Sequence, residues 1–170
     1  MARKLTQKDR LPPINLDLAD GRNVTLPDDI AGRYLVLLVY RGNWCSYCMR
    51  HLKRYQEKLL ELEELGVQVI AASADTQESA QAAAVESGIT FPLAYGVTEE
   101  AIAGLDPWWT DDHHGHYVHP IELLVLRGGT VFGSMYASGP VGRMDVEEVL
   151  TSVRSRERRR LVQQEQAARA

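Results

Sequence analysis

The pattern of apolar positions predicts four strands in the first half of the chain. Residues 14–18 alternate between apolar and polar side chains, the period of a half-buried strand, and the turn signal at 20–21 precedes a second short apolar segment at 24–26. Together these segments predict an N-terminal β-hairpin. Residues 34–40 (YLVLLVY) and 67–73 (VQVIAAS) are continuous apolar runs of strand length, which are typical of strands buried on both faces of a sheet.

Apolar residues at helical spacing predict three helices. The first runs through residues 52–62 and ends at Gly66, because glycine is common just past the end of a helix. The second covers residues 77–87. The third begins after Asp145, which can cap it, and keeps an apolar face as far as Val153.

The last third of the chain adds a second hairpin and one segment without a pattern. Residues 121–126 and 130–136 predict two strands joined by a tight turn, whereas residues 106–119 show no period and are expected to be a loop. The order of hairpin, βαβ unit, helix, hairpin and helix predicts one α/β domain with a mixed sheet and helices on both faces.

Polar tails flank this domain, which we place at residues 14–153. Residues 1–13 are polar and are expected to be a flexible lead-in. Residues 154–170 contain six Arg against two Glu, so they form an Arg-rich helical C-terminal extension with a local charge of +4, against −8 on the rest of the chain. The acidic remainder argues against a nucleic-acid partner, which would require a dominant basic surface.

Composition narrows the class of protein further. A chain of 170 residues with 45% hydrophobic and 25% charged residues suits one soluble globular domain. The longest strongly apolar run, at 34–40, has seven residues. A membrane-spanning helix needs about 20, so we expect no membrane partner. The basic N-terminus lacks the apolar stretch of a secretory signal, and the expected location is the cytoplasm.

The two cysteines, Cys45 and Cys48, lie where the first buried strand passes into a helix. A disulfide across so short a loop removes little chain entropy, so the pair is chemical rather than structural. A helix N-terminus stabilises a thiolate, and two sulfurs at this spacing can act as a redox dithiol. Arg41 and Arg50 would lower the thiol pKa further, and His51 less strongly. The alternatives are two inert packed thiols, or a zinc site that needs further ligands.

The residues around the pair resemble a known family. The motif Trp44-Cys45-Ser46-Tyr47-Cys48 after a buried strand is similar to the thioredoxin superfamily. The wider stretch 39–48 (VYRGNWCSYC) is most similar to its peroxiredoxin-like branch, the alkyl hydroperoxide reductase/thiol-specific antioxidant (AhpC/TSA) family. The resemblance extends over residues 14–153 and includes the hairpin at 20–26 and the segment 90–93 (TFPL). It implies a thioredoxin-like fold and thiol-dependent redox chemistry.

Departures from the peroxiredoxin pattern affect the roles of the two thiols. Cys48 falls at the peroxidatic cysteine, while Cys45 replaces a threonine that binds the peroxide and Arg41 replaces a proline that shields the pocket. The family's later arginine falls on or beside Pro120, where thioredoxins hold a cis proline against the thiols. The resemblance therefore implies a cis His119–Pro120 peptide. By thioredoxin logic Cys45 attacks and Cys48 resolves; by peroxiredoxin logic the roles reverse. We favour Cys45.

A proton acceptor and a docking surface are also expected near the thiols. Thioredoxins carry a buried acid on the strand before the motif, but residues 35–39 are wholly apolar here. His119 is therefore the better candidate to move protons, with His51 or solvent as alternatives. Trp44 and Tyr47 flank the thiols and would form an apolar rim for a partner protein.

Two further features have open interpretations. Residues 111–119 (DDHHGHYVH) contain four of the five histidines. They are either a zinc, nickel or copper site or, as we favour, a solvated polar loop with only His119 near the dithiol. The pair Trp108-Trp109 is either core packing or, as we slightly favour, an interface or a wall of the site. Arg143, in the loop before the last helix, could point at the site.

These observations predict a thiol-disulfide oxidoreductase that uses a Cys45–Cys48 dithiol to reduce protein disulfides or small oxidants. No organic cofactor or metal is expected, and a thiol reductant such as a thioredoxin or glutathione system would restore the dithiol. The chain could also pair as a homodimer. Two alternatives stay open. One is a peroxiredoxin-type peroxidase of hydrogen or alkyl peroxides with Cys48 as the peroxidatic cysteine. The other is a non-catalytic binding or metal-carrying domain that uses the His113–His119 loop.

Overall fold

The computed structural model describes residues 2–170. Along these residues the strands and α-helices are β1 (Ile14–Leu18), β2 (Asn23–Leu26), β3 (Tyr34–Val39), α1 (Ser46–Glu57), α2 (Leu59–Glu64), β4 (Val67–Ala72), α3 (Gln77–Ser87), β5 (Leu93–Tyr95), β6 (Trp109–Asp112), β7 (Gly115–Val118), β8 (Ile121–Val125), β9 (Val131–Tyr136) and α4 (Val146–Arg169). Short 3-10 helices lie at Asp28–Ile30 and Ala103–Leu105.

Seven strands form one mixed sheet in the order β2-β1-β5-β4-β3-β8-β9, and β6 and β7 form a separate two-stranded sheet. The neighbours β3–β4 and β4–β5 are parallel, while β1–β2, β1–β5, β3–β8 and β8–β9 are antiparallel. All residues of β3 are buried, as its continuous apolar run predicts. The α/β thioredoxin-like fold with a mixed sheet and an N-terminal hairpin is confirmed.

Buried side chains form two clusters, and alternate residues of β3 belong to different clusters. Leu38 packs in the first cluster with the α-helices and both cysteines, whereas Leu37 packs in the second. Ile30 and Leu105, from the two 3-10 helices, belong to the second cluster. The α-helices therefore cover one face of the sheet, and the helical cover of the other face consists of short 3-10 turns.

The helix predicted at 52–62 is interrupted. Lys58, with φ of −106° and ψ of 9°, separates α1 from α2, and its backbone N–H donates to the Tyr55 carbonyl. Gly66 follows the end of α2 with φ of +79°, a conformation that glycine adopts without strain. The helix thus begins at Ser46, earlier than residue 52, and breaks once, but it ends where the sequence predicts.

Residues 106–119, expected to be a loop, contain the β6–β7 hairpin. Trp109 pairs with Val118 and Asp112 pairs with Gly115, so the turn is formed by His113 and His114. Val118 is fully buried, whereas the residues at the tip are exposed. The hairpin was missed because polar residues occupy both faces of its tip and remove the alternation that indicates a strand.

The N-terminal segment packs against the domain, which differs from the flexible lead-in that the sequence predicts. The backbone N–H groups of Lys8 and Leu11 donate to the carbonyls of Val131 and Gly129, each at 2.9 Å. Leu5 and Leu11 are buried in the second cluster, at 8% and 4% exposure. Burial of these two side chains helps to offset the entropy cost of ordering the segment.

The last helix, α4, runs without a break for 24 residues, so the Arg-rich extension is helical. Its contacts with the domain continue past the expected boundary at Val153, because Glu157 is buried and accepts a hydrogen bond from the Tyr34 hydroxyl at 2.8 Å. Residues 161–170 are exposed. Neither α4 nor any other helix within residues 2–170 combines the length and the apolar character needed to cross a membrane.

The cis proline lies elsewhere than the family resemblance implies. Within residues 2–170 the cis peptide bond is Leu26–Pro27, and the expected cis bond at His119–Pro120 is wrong. The His119 N–H donates to the Trp108 carbonyl, and the Pro120 carbonyl accepts from Ala137. His119 and Pro120 therefore connect the β6–β7 pair directly to the β8–β9 pair, and the peptide bond between them is trans.

Candidate active site

Cys45 and Cys48 lie at the junction between β3 and α1, where the sequence places them. Cys45 is the N-cap of α1, and its Sγ accepts a hydrogen bond from the backbone N–H of Cys48 at 3.3 Å. Both side chains are buried, with 3% of Cys45 and 0% of Cys48 exposed. Both are free thiols, so the structure shows the pair without the disulfide that the sequence predicts for its oxidised form.

The two thiols differ in acidity because of their places at the helix start. The Cys48 thiol and the Cys48 backbone N–H both donate to Cys45 Sγ, and Arg41 and Arg143 add positive charge; together they lower the pKa of Cys45 to about 5. The pKa of Cys48 is raised well above its ordinary value, chiefly because the Cys48 thiol donates to Cys45 and also because the side chain is buried. At neutral pH Cys45 is therefore the thiolate and Cys48 the thiol that donates to it.

Arg41 contacts Cys45 from the side of the β6–β7 hairpin. Its Nη1 lies 3.8 Å from Cys45 Sγ, and its Nη2 donates to the Tyr117 hydroxyl at 3.2 Å. Its guanidinium also faces the rings of Trp44 and Tyr117, at 4.9 and 5.2 Å from their centroids. These contacts hold its positive charge beside the thiolate, as the sequence analysis expected.

A charged cluster lies on the other side of the dithiol; it contains Arg143 and His51, which the sequence analysis named, and Glu122, which it did not. Nη2 of Arg143 is 2.9 Å from Cys48 Sγ, and its Nη1 is 3.9 Å from Oε2 of Glu122. Oε1 of Glu122 accepts from the Met144 N–H at 2.6 Å and lies 2.9 Å from Nε2 of His51. Glu122 is only 1% exposed. The buried Glu122 carboxylate therefore holds the loop that carries Arg143 beside Cys48.

Glu122 has a signal in the sequence, but on β8 and not on the strand before the motif. β3 carries no acid, but its residue Leu38 pairs in register with Glu122 of β8, so the carboxylate reaches the same face of the sheet. A single acid in an otherwise apolar strand (IELLV) needs buried partners, and that is the signal that could have found it. For Arg143 the sequence offered only its place in a loop before a helix.

His119 and Pro120 lie between β7 and β8, on the side of the site that Arg41 occupies. His119 Nε2 is 2.7 Å from Thr110 Oγ1, and its ring meets the Tyr117 ring edge-on. Its Nδ1 is buried without a hydrogen-bond partner. Burial, and then the positive charge of Arg41, lower the pKa of His119 below its ordinary value. The imidazole is therefore neutral at pH 7 and able to accept a proton.

Trp44 and Tyr47, expected to form a docking rim, differ in exposure. Trp44 is partly buried because it stacks on His114, with ring centroids 3.7 Å apart, and meets Tyr117 edge-on at 4.8 Å. Tyr47 is 49% exposed, and Arg50 lies over its ring at 5.3 Å rather than beside the thiols. The hairpin tip therefore covers Trp44, the chain neighbour of Cys45, while Tyr47 presents aromatic surface to solvent.

Metal-binding side chains come together at the hairpin tip. In the described part of the chain, one group of three side chains has its candidate ligand atoms close together: Asp112, His113 and His114. Within residues 2–170 the two cysteines have no third ligand of this kind at that distance. The zinc alternative for the dithiol therefore lacks support from these residues.

The fold and site define a class. A thioredoxin-like sheet carries a thiolate and a thiol at the start of a helix, with a guanidinium beside each sulfur. A low-pKa cysteine paired with a second cysteine at a helix N-terminus is the arrangement that thiol-dependent oxidoreductases use.

Comparisons with known proteins agree with this class. The model of the AhpC/TSA family matches residues 8–132. Two Mycobacterium tuberculosis proteins, from strains H37Rv and CDC 1551, whose names designate them as candidate peroxiredoxins, are each 25% identical to this chain over 147 residues, covering 83% of it and 93% of their own length.

Solved structures share the fold at lower identity. Peroxidoxin BcpB from Mycobacterium tuberculosis superposes with a TM-score of 0.76 at 14% identity, over 89% of this chain and 97% of its own. A cysteine-to-serine mutant of Xylella fastidiosa PrxQ superposes with a TM-score of 0.74 at 17% identity, over 92% of this chain and 99% of its own.

The chain belongs to the AhpC/TSA family. It is a thiol-dependent oxidoreductase of the peroxiredoxin-like branch of the thioredoxin superfamily, as the motif around Cys45 and Cys48 predicts.

Proposed function

We propose that the protein reduces small hydroperoxides with Cys45 as the nucleophile and Cys48 as the resolving thiol. The observation that carries this proposal is the place of Cys45 as the N-cap of α1, where its Sγ accepts from the Cys48 N–H at 3.3 Å and lies 3.8 Å from Arg41. Cys45, with a pKa of about 5, is already ionised at neutral pH, and its neighbour holds the proton. Ionisation alone raises the reactive fraction about 30-fold over a free cysteine at pH 7.

The proposed reaction has three steps. The Cys45 thiolate attacks one peroxide oxygen, the O–O bond breaks, and the leaving alkoxide takes the Cys48 proton to give an alcohol and a Cys45 sulfenic acid. The Cys48 thiolate then attacks the Cys45 sulfur and expels hydroxide, which becomes water with a proton from solvent. The resulting Cys45–Cys48 disulfide is returned to two thiols by a reductant that supplies two electrons and two protons.

The access to Cys45 favours a small substrate. Only 3% of Cys45 is exposed, and its neighbour Trp44 is itself covered by His114 of the hairpin, so a protein disulfide would have to displace surrounding side chains to reach the sulfur. Two buried polar atoms on this side, Nε of Arg41 and Nδ1 of His119, have no hydrogen-bond partner. Buried polar groups normally have partners, so these atoms support a place for a small polar molecule.

The proposal needs no organic cofactor, because the sulfur pair carries both electrons. A thioredoxin or glutathione system would supply the thiol reductant, and a reducing compartment such as the cytoplasm would suit it. Pairing as a homodimer stays a prediction, and analytical ultracentrifugation tests it.

The test mixes the reduced protein with hydrogen peroxide and follows disulfide formation in a stopped-flow instrument. We expect fast oxidation in the wild type, none in Cys45→Ser, and a trapped sulfenic acid on Cys45 in Cys48→Ser. Ser46→Ala, an exposed change between the two cysteines, is the matched control. A sulfenic acid on Cys48 in the Cys45→Ser protein would reverse the assignment. Oxidation no faster than that of a free thiol would overturn the proposal.

Reduction of protein disulfides is the second candidate, and exposed Tyr47 favours it. This side chain is 49% exposed beside the dithiol and offers apolar surface to a partner. An insulin-reduction assay separates the candidates. Activity that falls in Tyr47→Ala while peroxide oxidation stays slow in the wild type would favour disulfide reduction.

A further inference from the structure

The tip of the β6–β7 hairpin brings two histidines and one aspartate together. Asp112, His113 and His114 each offer a ligand atom, and these atoms all lie within 4.8 Å of one another. The rings of His113 and His114 have centroids 3.9 Å apart. All three side chains are exposed. A cation bound at about 2.0–2.2 Å from each ligand atom requires these atoms to lie closer together, so the exposed side chains would rotate on binding.

The ring nitrogens of His113 and His114 are uncommitted, which distinguishes them from the other histidines. Among residues 2–170, no hydrogen bond uses their side-chain nitrogens. By contrast, both nitrogens of His116 are engaged, with Asp111 at 2.9 Å and Glu99 at 2.8 Å. Nε2 of His51 faces Glu122, and Nε2 of His119 faces Thr110.

Two hydrogen bonds hold the carboxylate of Asp112 in place at the hairpin tip. The backbone N–H of His114 donates to its Oδ1, and the Tyr117 hydroxyl donates to its Oδ2, each at 2.8 Å. Two imidazoles with one carboxylate are a donor set that zinc, cobalt and nickel ions bind.

We propose that Asp112, His113 and His114 form a binding site for one divalent transition-metal ion, with water completing its coordination. The site lies on the hairpin rather than at the sulfurs, so it is independent of the function proposed for the dithiol.

Contacts connect this site to Trp44 and Arg41, the residues beside Cys45. The ring of His114 stacks on Trp44, which precedes Cys45, with the two planes inclined by 6°. Asp112 is joined through the Tyr117 hydroxyl to Arg41, the residue 3.8 Å from Cys45 Sγ. A metal ion that turns the ring of His114 or binds the carboxylate of Asp112 would therefore affect both Trp44 and Arg41.

The test uses the protein without a histidine tag, with both cysteines replaced by serine so that the thiols cannot bind the metal. Co²⁺ is added, and binding is followed by calorimetry and by the visible absorption of the ion. We expect one ion per chain, and at least about tenfold weaker binding in His113→Ala, His114→Ala and Asp112→Asn, because each loses one of three ligands.

His116→Ala is the matched control, because it lies in the same hairpin but its nitrogens are already occupied. A second readout is the quenching of tryptophan fluorescence by Co²⁺. The contribution of Trp44 is the difference in quenching between the parent protein and Trp44→Phe. Circular dichroism confirms that each variant is folded. Equal loss of binding in His116→Ala, or no loss in His113→Ala and His114→Ala, would overturn the site, as would binding that persists only when the cysteines are present.

Discussion

At the scale of single residues, the two cysteines show how position separates identical side chains. Cys45 is the N-cap of α1, with an extended backbone (φ −87°, ψ 103°), and Cys48 lies in the first turn. The N–H groups at a helix start lack intrahelical partners and favour a negative acceptor. Cys45 is that acceptor, so it takes the charge and Cys48 keeps the proton.

Removal of the Cys48 thiol should make Cys45 less acidic. In Cys48→Ala we expect the pKa of Cys45 to rise by about 1–2 units, because a hydrogen bond to a charged group is lost. The rate of alkylation by iodoacetamide, measured against pH, reports the midpoint, and Ser46→Ala should leave that midpoint near 5. An unchanged midpoint in Cys48→Ala would show that the Cys48 thiol does not stabilise the thiolate.

The buried acid Glu122 also acts at the residue scale, in two ways that have opposite effects on a Cys48 thiolate. Its Oε1 accepts from Met144, the residue after Arg143, and so fixes the loop that places the guanidinium at Cys48. Its negative charge, in contrast, opposes a thiolate at Cys48. Replacing it therefore distinguishes positioning from simple charge.

In Glu122→Ala, which removes the acceptor of the Met144 N–H, we expect the resolving step to become slower and its pH midpoint to rise, as it would in Arg143→Met. If the carboxylate acted only through its charge, the midpoint would fall, because a negative group near the thiolate would be gone. The measurement is disulfide formation after a pulse of peroxide, followed from pH 6 to pH 10. Glu147→Ala, at an exposed acid early in α4, is the control.

At the scale of elements, strands buried on both faces were predictable and the β6–β7 hairpin was not. The apolar run at 34–40 indicates β3 because its pattern needs no partner to be recognised. The strand pair around His113-His114 owes its order to contacts from outside the segment, such as the stack of His114 on Trp44. Local patterns do not contain such contacts.

The last helix is attached by a buried acid. Glu157 accepts hydrogen bonds from the Tyr34 hydroxyl and the Arg160 guanidinium, each at 2.8 Å, and Arg127 lies at 3.4 Å. These partners, Arg160 first, lower the pKa of Glu157 to about 2 from an ordinary 4.5. α4 is thereby held to β3 one turn beyond its apolar face.

Glu157→Gln should destabilise the fold by about 1–3 kcal/mol at pH 7, because it weakens a charged hydrogen-bond network. A carboxyl whose pKa is lower in the folded state stabilises that state above about pH 4.5, and the contribution is lost as pH falls towards 2. Urea unfolding from pH 7 to pH 2 should therefore show a shallower decline in the variant. Glu165→Gln, on the exposed end of the same helix, should behave as the wild type.

At the scale of the whole molecule, the predictable half of the site is the half that is local in sequence. Arg41, Trp44 and the two cysteines lie within eight positions, so their proximity follows from one strand and one helix. Arg143 reaches Cys48 across 95 positions of chain, and only the packing of α4 and β8 brings it there. Loops that follow distant elements leave no local pattern, so such contacts are the part of a site that sequence reasoning misses.

The N-terminal segment is part of the whole molecule, and Leu11 tests this. Leu11 is 4% exposed in the second cluster, so Leu11→Ala should cost about 2–4 kcal/mol of unfolding free energy, as large-to-small changes in a core do. Leu60→Ala, at a side chain that is 70% exposed, is the matched control and should change stability little. Urea unfolding measures both.

The alkylation midpoint of Cys45 should stay unchanged in Leu11→Ala, because the dithiol packs in the first cluster on the other face of the sheet. If Leu11→Ala costs no more than Leu60→Ala, the segment is the free lead-in that its polar composition predicts. A cost near that of a core leucine, with Cys45 unaffected, means that the N-terminal segment stabilises the face opposite the dithiol and leaves its chemistry unchanged.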